Sequence, residues 1–140
     1  MTTIIDSNVI GALWNLDDIL NSVARSALDA ALARGSLIIP APVYAELMAF
    51  AERTESFLDT FLRETGIGVE WQLDERVWRA AGQAFQSYAG RRRRQREPGP
   101  RRILADFLIG AYAAKHNHPL LTLDEGIYRT AFPTLRILSA

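Results

Sequence analysis

The chain has 140 residues, about half of them apolar, with 16 basic and 16 acidic side chains and no cysteine. That is the size of one ordinary globular domain able to bury a core without staples, and a single domain over 1–140 is expected. The lack of cysteine excludes disulfides, thiolate metal sites and thiol nucleophiles. The opening residues lack a basic stretch followed by an apolar core, and no apolar run approaches the roughly 18 residues of a membrane span, so a soluble cytoplasmic protein is expected.

Thr3 to Ile5 reads as a short buried strand, and Asp6-Ser7-Asn8 supplies helix-capping side chains before Val9 to Trp14. An Ala- and Leu-rich helix from about Leu20 to Ala33 ends at Arg34-Gly35, a cationic last turn with a glycine stop. Ser36 to Ile39 forms a second buried strand closed by Pro40 and Pro42, and Pro42 opens a helix carrying Glu46 on its second turn. Leu58 to Glu64 continues as helix to a stop at Gly66, and Ile67 to Trp71 is a weaker strand.

Asp74-Glu75 start a helix holding Trp78, Ala81, Phe85 and Tyr88, which runs into an arginine-rich segment read as an internal loop. Pro98-Gly99-Pro100 breaks any helix there, and a new one is expected from Arg102 to about Lys115. Leu120 to Leu123 and Leu135 to Leu138 complete five strands. Near-continuous apolar strands alternating with helices indicate a parallel sheet covered on both faces.

Four carboxylates occupy positions where carboxylates are costly. Asp106 interrupts Ile103 to Ala111, Glu46 sits within Val43 to Phe50, Asp6 ends Ile4-Ile5, and Asp124 ends Leu120 to Leu123. A buried ionised carboxylate without a partner costs at least several kcal/mol, so the fold must pair it, protonate it or give it a cation. Parallel sheets collect functional groups beyond the carboxyl ends of their strands, where Asp6 and Asp124 fall and where Glu46 and Asp106 can lean in from helices. Gly110, Ala113 and Ala114 share the Asp106 side of its helix and would let its backbone approach the sheet closely. A site of oxygen ligands suits Mg²⁺ or Mn²⁺ and phosphodiester hydrolysis.

Each acid has a plainer reading. Asp6 and Asp124 fit helix caps and turns, and Asp106 could pair with Arg102, four residues earlier. His116 and His118 follow a helix end and suit a capping role better than a hard-cation site. Trp14, Trp71 and Trp78 are expected in the core or at a subunit interface. Charge is uneven: residues 1–90 carry 6 Arg against 12 acids, while residues 91–102 carry 7 Arg against one Glu. The run Arg91, Arg92, Arg93, Arg94 can be a solvated loop or an RNA phosphate contact.

Taken together, Ile4 to Ile10, Pro42 to Leu47, Ile103 to Ala111, and Leu121 to Asp124 followed by Tyr128 and Phe132 resemble the PIN-domain nucleases, specifically VapC-type toxins of toxin–antitoxin pairs. The resemblance covers almost the whole chain. It implies a three-layer α/β/α sandwich with a central parallel sheet, Mg²⁺- or Mn²⁺-dependent endoribonuclease activity, a VapB-like antitoxin partner and a homodimer. It assigns Asp6, Glu46, Asp106 and Asp124 as the catalytic, metal-binding quartet, with Thr122 and Asn8 in support. Leu123 departs from the basic residue that many relatives carry there. Two other classes stay open: a catalytically idle binding module, and a phospho-receiver signalling domain with an acidic Mg²⁺ pocket, which would require a lysine after the last strand. The sole lysine, Lys115, precedes the fourth strand.

Overall fold

The computed structural model describes residues 1–98 and 104–139. Among these the elements run β1 (Thr2–Ile5), α1 (Ser7–Trp14), α2 (Asn21–Arg34), β2 (Ser36–Pro40), α3 (Ala41–Leu47), α4 (Glu55–Thr65), β3 (Gly68–Glu70), α5 (Glu75–Arg94), α6 (Leu104–Lys115), β4 (Leu120–Thr122), α7 (Gly126–Ala131) and β5 (Ile137–Ser139). All strand pairs are parallel, in the order β3-β2-β1-β4-β5. In β1, Thr3, Ile4 and Ile5 are all buried. Consecutive residues of a strand point to opposite faces, so helices cover both sides of the sheet.

Chain order steps from β1 to β2 and β3 on one side, then resumes on the other with β4 and β5. The reversal lies between β1 and β4, where Ile4 and Ile5 stand opposite Leu120 and Leu121. Loops leaving the carboxyl ends of two such strands diverge and leave a crevice. Asp6 and Asp124 are the first acids beyond those two ends.

Several expected boundaries shift for physical reasons. The segment read as an arginine loop is in part helix: α5 continues through Arg91–Arg94. Arginine is a good helix former, and four cations in the last turn complement the negative end of the helix dipole. Pro40 is the last residue of β2 and the N-cap of α3, which places Pro42 one residue inside the helix. The short helix α7 was not expected from the pattern. Trp71 and Trp78 are not in the core, being 60% and 51% exposed. The Arg102 pairing and the Pro98-Gly99-Pro100 break involve positions 99, 100 and 102, outside the described residues.

Gly110 does allow a close approach, though to α7 and not to the sheet. A methyl group there would collide with the Phe132 ring and stand 3.1 Å from the Tyr128 ring. Both rings belong to the buried core. Gly110→Ala should therefore cost about 1–3 kcal/mol by overpacking, read as a lower urea midpoint with an unchanged m-value.

Candidate active site

Asp6 is the hub of the crevice. Its backbone N–H donates to Leu121 O at 3.0 Å, extending the β1–β4 ladder by one bond. Its side chain is 5% exposed. The Ser7 amide donates to Oδ1 at 2.8 Å, so Asp6 is a helix cap as well. The hydroxyls of Thr122 and Tyr128 both donate to Oδ2 at 2.9 Å. Burial pushes the Asp6 carboxyl above its ordinary range, the three donors pull it back, and the Asp124 charge adds to the rise.

Thr122 and Asn8 build a second layer around this acid. Asn8 Nδ2 donates to Thr122 Oγ1 at 3.2 Å, while Asn8 Oδ1 accepts from the Leu123 amide at 3.1 Å. The two bonds clamp the end of β4 to the first turn of α1. The Asp124 amide also donates to Thr122 Oγ1, at 3.1 Å. With its acceptor capacity used by these N–H groups, the threonine hydroxyl directs its one proton to Asp6.

Glu46 is half-buried on α3 and accepts from Ser7 Oγ at 3.1 Å. Burial raises its pKa to about 7, the Ser7 bond opposes the rise, and the charges of Asp6 and Asp106 reinforce it. Asp106 lies in the first turn of α6, partly buried, and its charge bears on Glu46 and Tyr128. Burial and those same carboxylates push the Tyr128 phenol far upward, which keeps it protonated and a donor. Asp124 is exposed at the rim, with its charge felt at Asp6.

The fold thus brings Asp6, Glu46, Asp106 and Asp124 into one electrostatic neighbourhood, and Asn8 and Thr122 into contact with the first of them. It does not close them into a cage: among the described residues no three acidic or imidazole side chains stand close enough to share an ion. The donor chemistry nevertheless fits a hard divalent cation, since the ligand atoms are carboxylate oxygens, with the Asp124 charge raising Asp6 and the Asp6 and Asp106 charges raising Glu46. His116 and His118 follow the far end of α6, beside the Tyr112 ring. At about 1.5 Å per residue, a 12-residue helix keeps them on the order of 15 Å or more from the Asp106 end.

Two contributors lie outside the site residues assigned from the sequence. Ser7 joins Asp6 to Glu46, bonding one through its amide and the other through its hydroxyl. Tyr128 reaches Asp6 from α7 across 122 positions. The available signal for Tyr128 was its place among Ile127, Ala131 and Phe132 on a segment following the last acid: a tyrosine buried there needs a partner for its hydroxyl.

The PIN domain family model matches residues 3–133, and the chain belongs to that family. No curated protein matches it by sequence. Among solved structures it is similar to a toxin–antitoxin complex from Klebsiella pneumoniae, with 17% identity, 98% of this chain and 96% of that chain covered, and a TM-score of 0.67. VapBC-1 from nontypeable Haemophilus influenzae shows 15% identity over 99% and 98% of the two chains, with a TM-score of 0.65. FitAcB from Neisseria gonorrhoeae shows 20% identity over 98% and 96%, with a TM-score of 0.64. At these identities the shared property is the fold.

Because Glu46 has a higher pKa folded than its ordinary 4.5, the folded state binds its proton more tightly than the unfolded state. In EDTA this group's stability contribution should be fully present below about pH 4.5 and lost as pH rises to about 7. The expected loss is about 1 kcal/mol, reduced from the full linkage value because the group is half in water. Urea unfolding at several pH values should show the wild type losing stability relative to Glu46→Gln across that window.

Proposed function

We propose that this chain is a metal-dependent endoribonuclease of the VapC type, held in check by a small VapB-like antitoxin. The observation that carries the reading is the Asp6 hub at the β1–β4 crevice, surrounded by Glu46, Asp106 and Asp124 in a chain of the PIN family. Asp6 and Asp106 are the principal ligands for Mg²⁺ or Mn²⁺, and Glu46 and Asp124 complete the site directly or through water. Such a cation lowers the pKa of water and neutralises charge on phosphate oxygens.

The protein's own part is orientation and electrostatics. Thr122 and Tyr128 fix both the rotamer and the lone-pair directions of Asp6, and Asn8 fixes Thr122. Glu46, raised to about 7 by burial and by the charges of Asp6 and Asp106, would give up its proton when a cation enters and neutralises those charges, which makes metal binding pH-dependent near neutrality.

Substrate approach calls for positive charge near an acidic crevice. While the Arg91 side chain lines a cleft shared with Ala114, Lys115 and the end of α7, Phe85 and Tyr88 of α5 pack on Phe107 in the first turn of α6, one turn before Arg91–Arg94. The last turn of α5 therefore stands at the Asp106 end of α6. Within it Arg92 is 12% exposed and donates to Pro98 O at 2.7 Å, a local structural role. Arg93 and Arg94 are exposed and suited to RNA phosphates, with Arg91 beside them.

The inhibitory partner is proposed from the toxin–antitoxin complexes whose fold the chain shares. Leu16 and Ile19 support a partner surface, being 76% and 90% exposed three positions apart after α1. A homodimer is proposed on the same resemblance. The sole lysine, Lys115, precedes β4 and is not placed as a phospho-receiver would need.

Purified protein incubated with a pool of structured RNAs should cleave with Mn²⁺, stop with EDTA, and lose activity in Asp106→Asn. Metal binding without cleavage of any RNA, together with retained antitoxin binding, would instead identify an idle binding module. Thr122→Val should lower metal affinity or turnover about 10- to 100-fold while leaving the fold intact by circular dichroism.

A further inference from the structure

A groove of about 490 Å³ runs along α1 away from the crevice, a volume typical of ligand sites. Its inner end is Asn8, the residue that holds Thr122. Gly11 and Ala12 form the floor, and Phe50 lies so close that a methyl group at Gly11 would meet its ring at 2.6 Å. Arg53 stands on the far wall. Its guanidinium sits 5.1 Å from the Trp14 ring centroid and 4.5 Å from that of Phe57. Trp14 is itself braced edge-on by Phe50, Phe57 and Phe61, with centroids 5.3–5.6 Å away.

This arrangement positions a cation without neutralising it. Among the described residues no carboxylate or carbonyl binds the Arg53 guanidinium, so its N–H fork is open to an anion. Stacking on aromatic faces restricts the planar group while leaving its edge donors free, a use for which lysine is a poor substitute. Asp18 also lines the groove, and the Leu20 amide donating to its Oδ1 at 2.8 Å ties the side chain to its own loop without cancelling its charge. From Asn8 to Asn15, which lines the outer end, α1 covers about 10 Å, a span a stacked single strand crosses in about three nucleotides.

We propose that this groove is the track of the single-stranded RNA flanking the scissile bond, with Arg53 gripping a backbone phosphate about three nucleotides from the Asp6 centre. Phe50, 39% exposed, offers a face for a base on the way. The inference rests on the ribonuclease reading above and adds to it a second phosphate contact, remote from the arginine turn of α5.

The test is binding of a fluorescent single-stranded RNA in EDTA over a range of salt, followed by cleavage kinetics with Mn²⁺. Arg53→Ala should weaken binding about tenfold and reduce the log–log salt slope by about 0.7, with Arg53→Lys recovering only part of the affinity. KM should rise while kcat stays within about twofold. Ala51→Arg, an exposed groove position that packs no core, should tighten binding and steepen the slope even if Arg53→Ala folds poorly. Wild-type affinity and slope in both Arg53→Ala and Ala51→Arg would overturn the track while leaving the nuclease reading intact. So would an effect of Arg53→Ala confined to oligomeric state, which would make the groove an interface between copies. Wild-type protein that neither binds nor cleaves any RNA would overturn both readings.

Discussion

Asp6 is a carboxylate removed almost wholly from water, and the surrounding architecture meets the cost of putting it there. Desolvation of such a group is worth several kcal/mol unless donors replace the lost water. Three donors do so: an amide from α1, a hydroxyl from β4 and a phenol from α7. Because they come from three elements, satisfying one acid also fixes the mutual placement of the helix that follows β1, the end of the adjacent strand and a short helix beyond it. The burial-driven rise in its pKa shows that compensation is incomplete. An acid left under-compensated beside three further acids is a centre with residual demand for positive charge.

Sheet topology decides which groups can answer that demand. The order reversal between β1 and β4 makes the chain diverge beyond the carboxyl ends of those two strands, so residues just past them share one crevice. Glu46 and Asp106 enter it from helices, and the Asp106 charge acts on Glu46 across a site only partly open to water. The same crowding that raises the pKa of Glu46 to about 7 turns an ordinary carboxylate into a group able to exchange protons near neutrality.

Positive charge is arranged outside that crevice in two different ways. At the end of α5, arginines are concentrated by sequence and held by a helix terminus that favours cations. On α1's flank a single arginine is held by aromatic rings. One device gives a diffuse field, and the other gives an oriented fork. A polyanionic substrate needs both attraction and register.

Much of this was legible along the chain. Apolar runs of strand length and their helical spacers predicted a parallel sheet, and acids interrupting apolar runs marked Asp6, Glu46, Asp106 and Asp124 without any contact information. Asn8 and Thr122 came from the family resemblance, which sets supporting side chains two positions from the first and last acids. The arginine turn was misread as loop because charge runs usually signal solvated coil, whereas here helix propensity and the terminal dipole act together.

What only the folded chain decided concerns partners distant in sequence. Nothing local tells that the Tyr128 hydroxyl meets Asp6 across 122 positions, or that Gly110 is small to admit Phe132 and Tyr128. The Arg53 guanidinium looks like any surface cation until Trp14 and Phe57 are seen around it. The sequence by itself determined which groups would be costly to bury, because hydropathy and charge are properties of single residues and their immediate neighbours. Tertiary structure decided how each cost is met, because hydrogen bonds and ring contacts depend on distances that chain order does not contain.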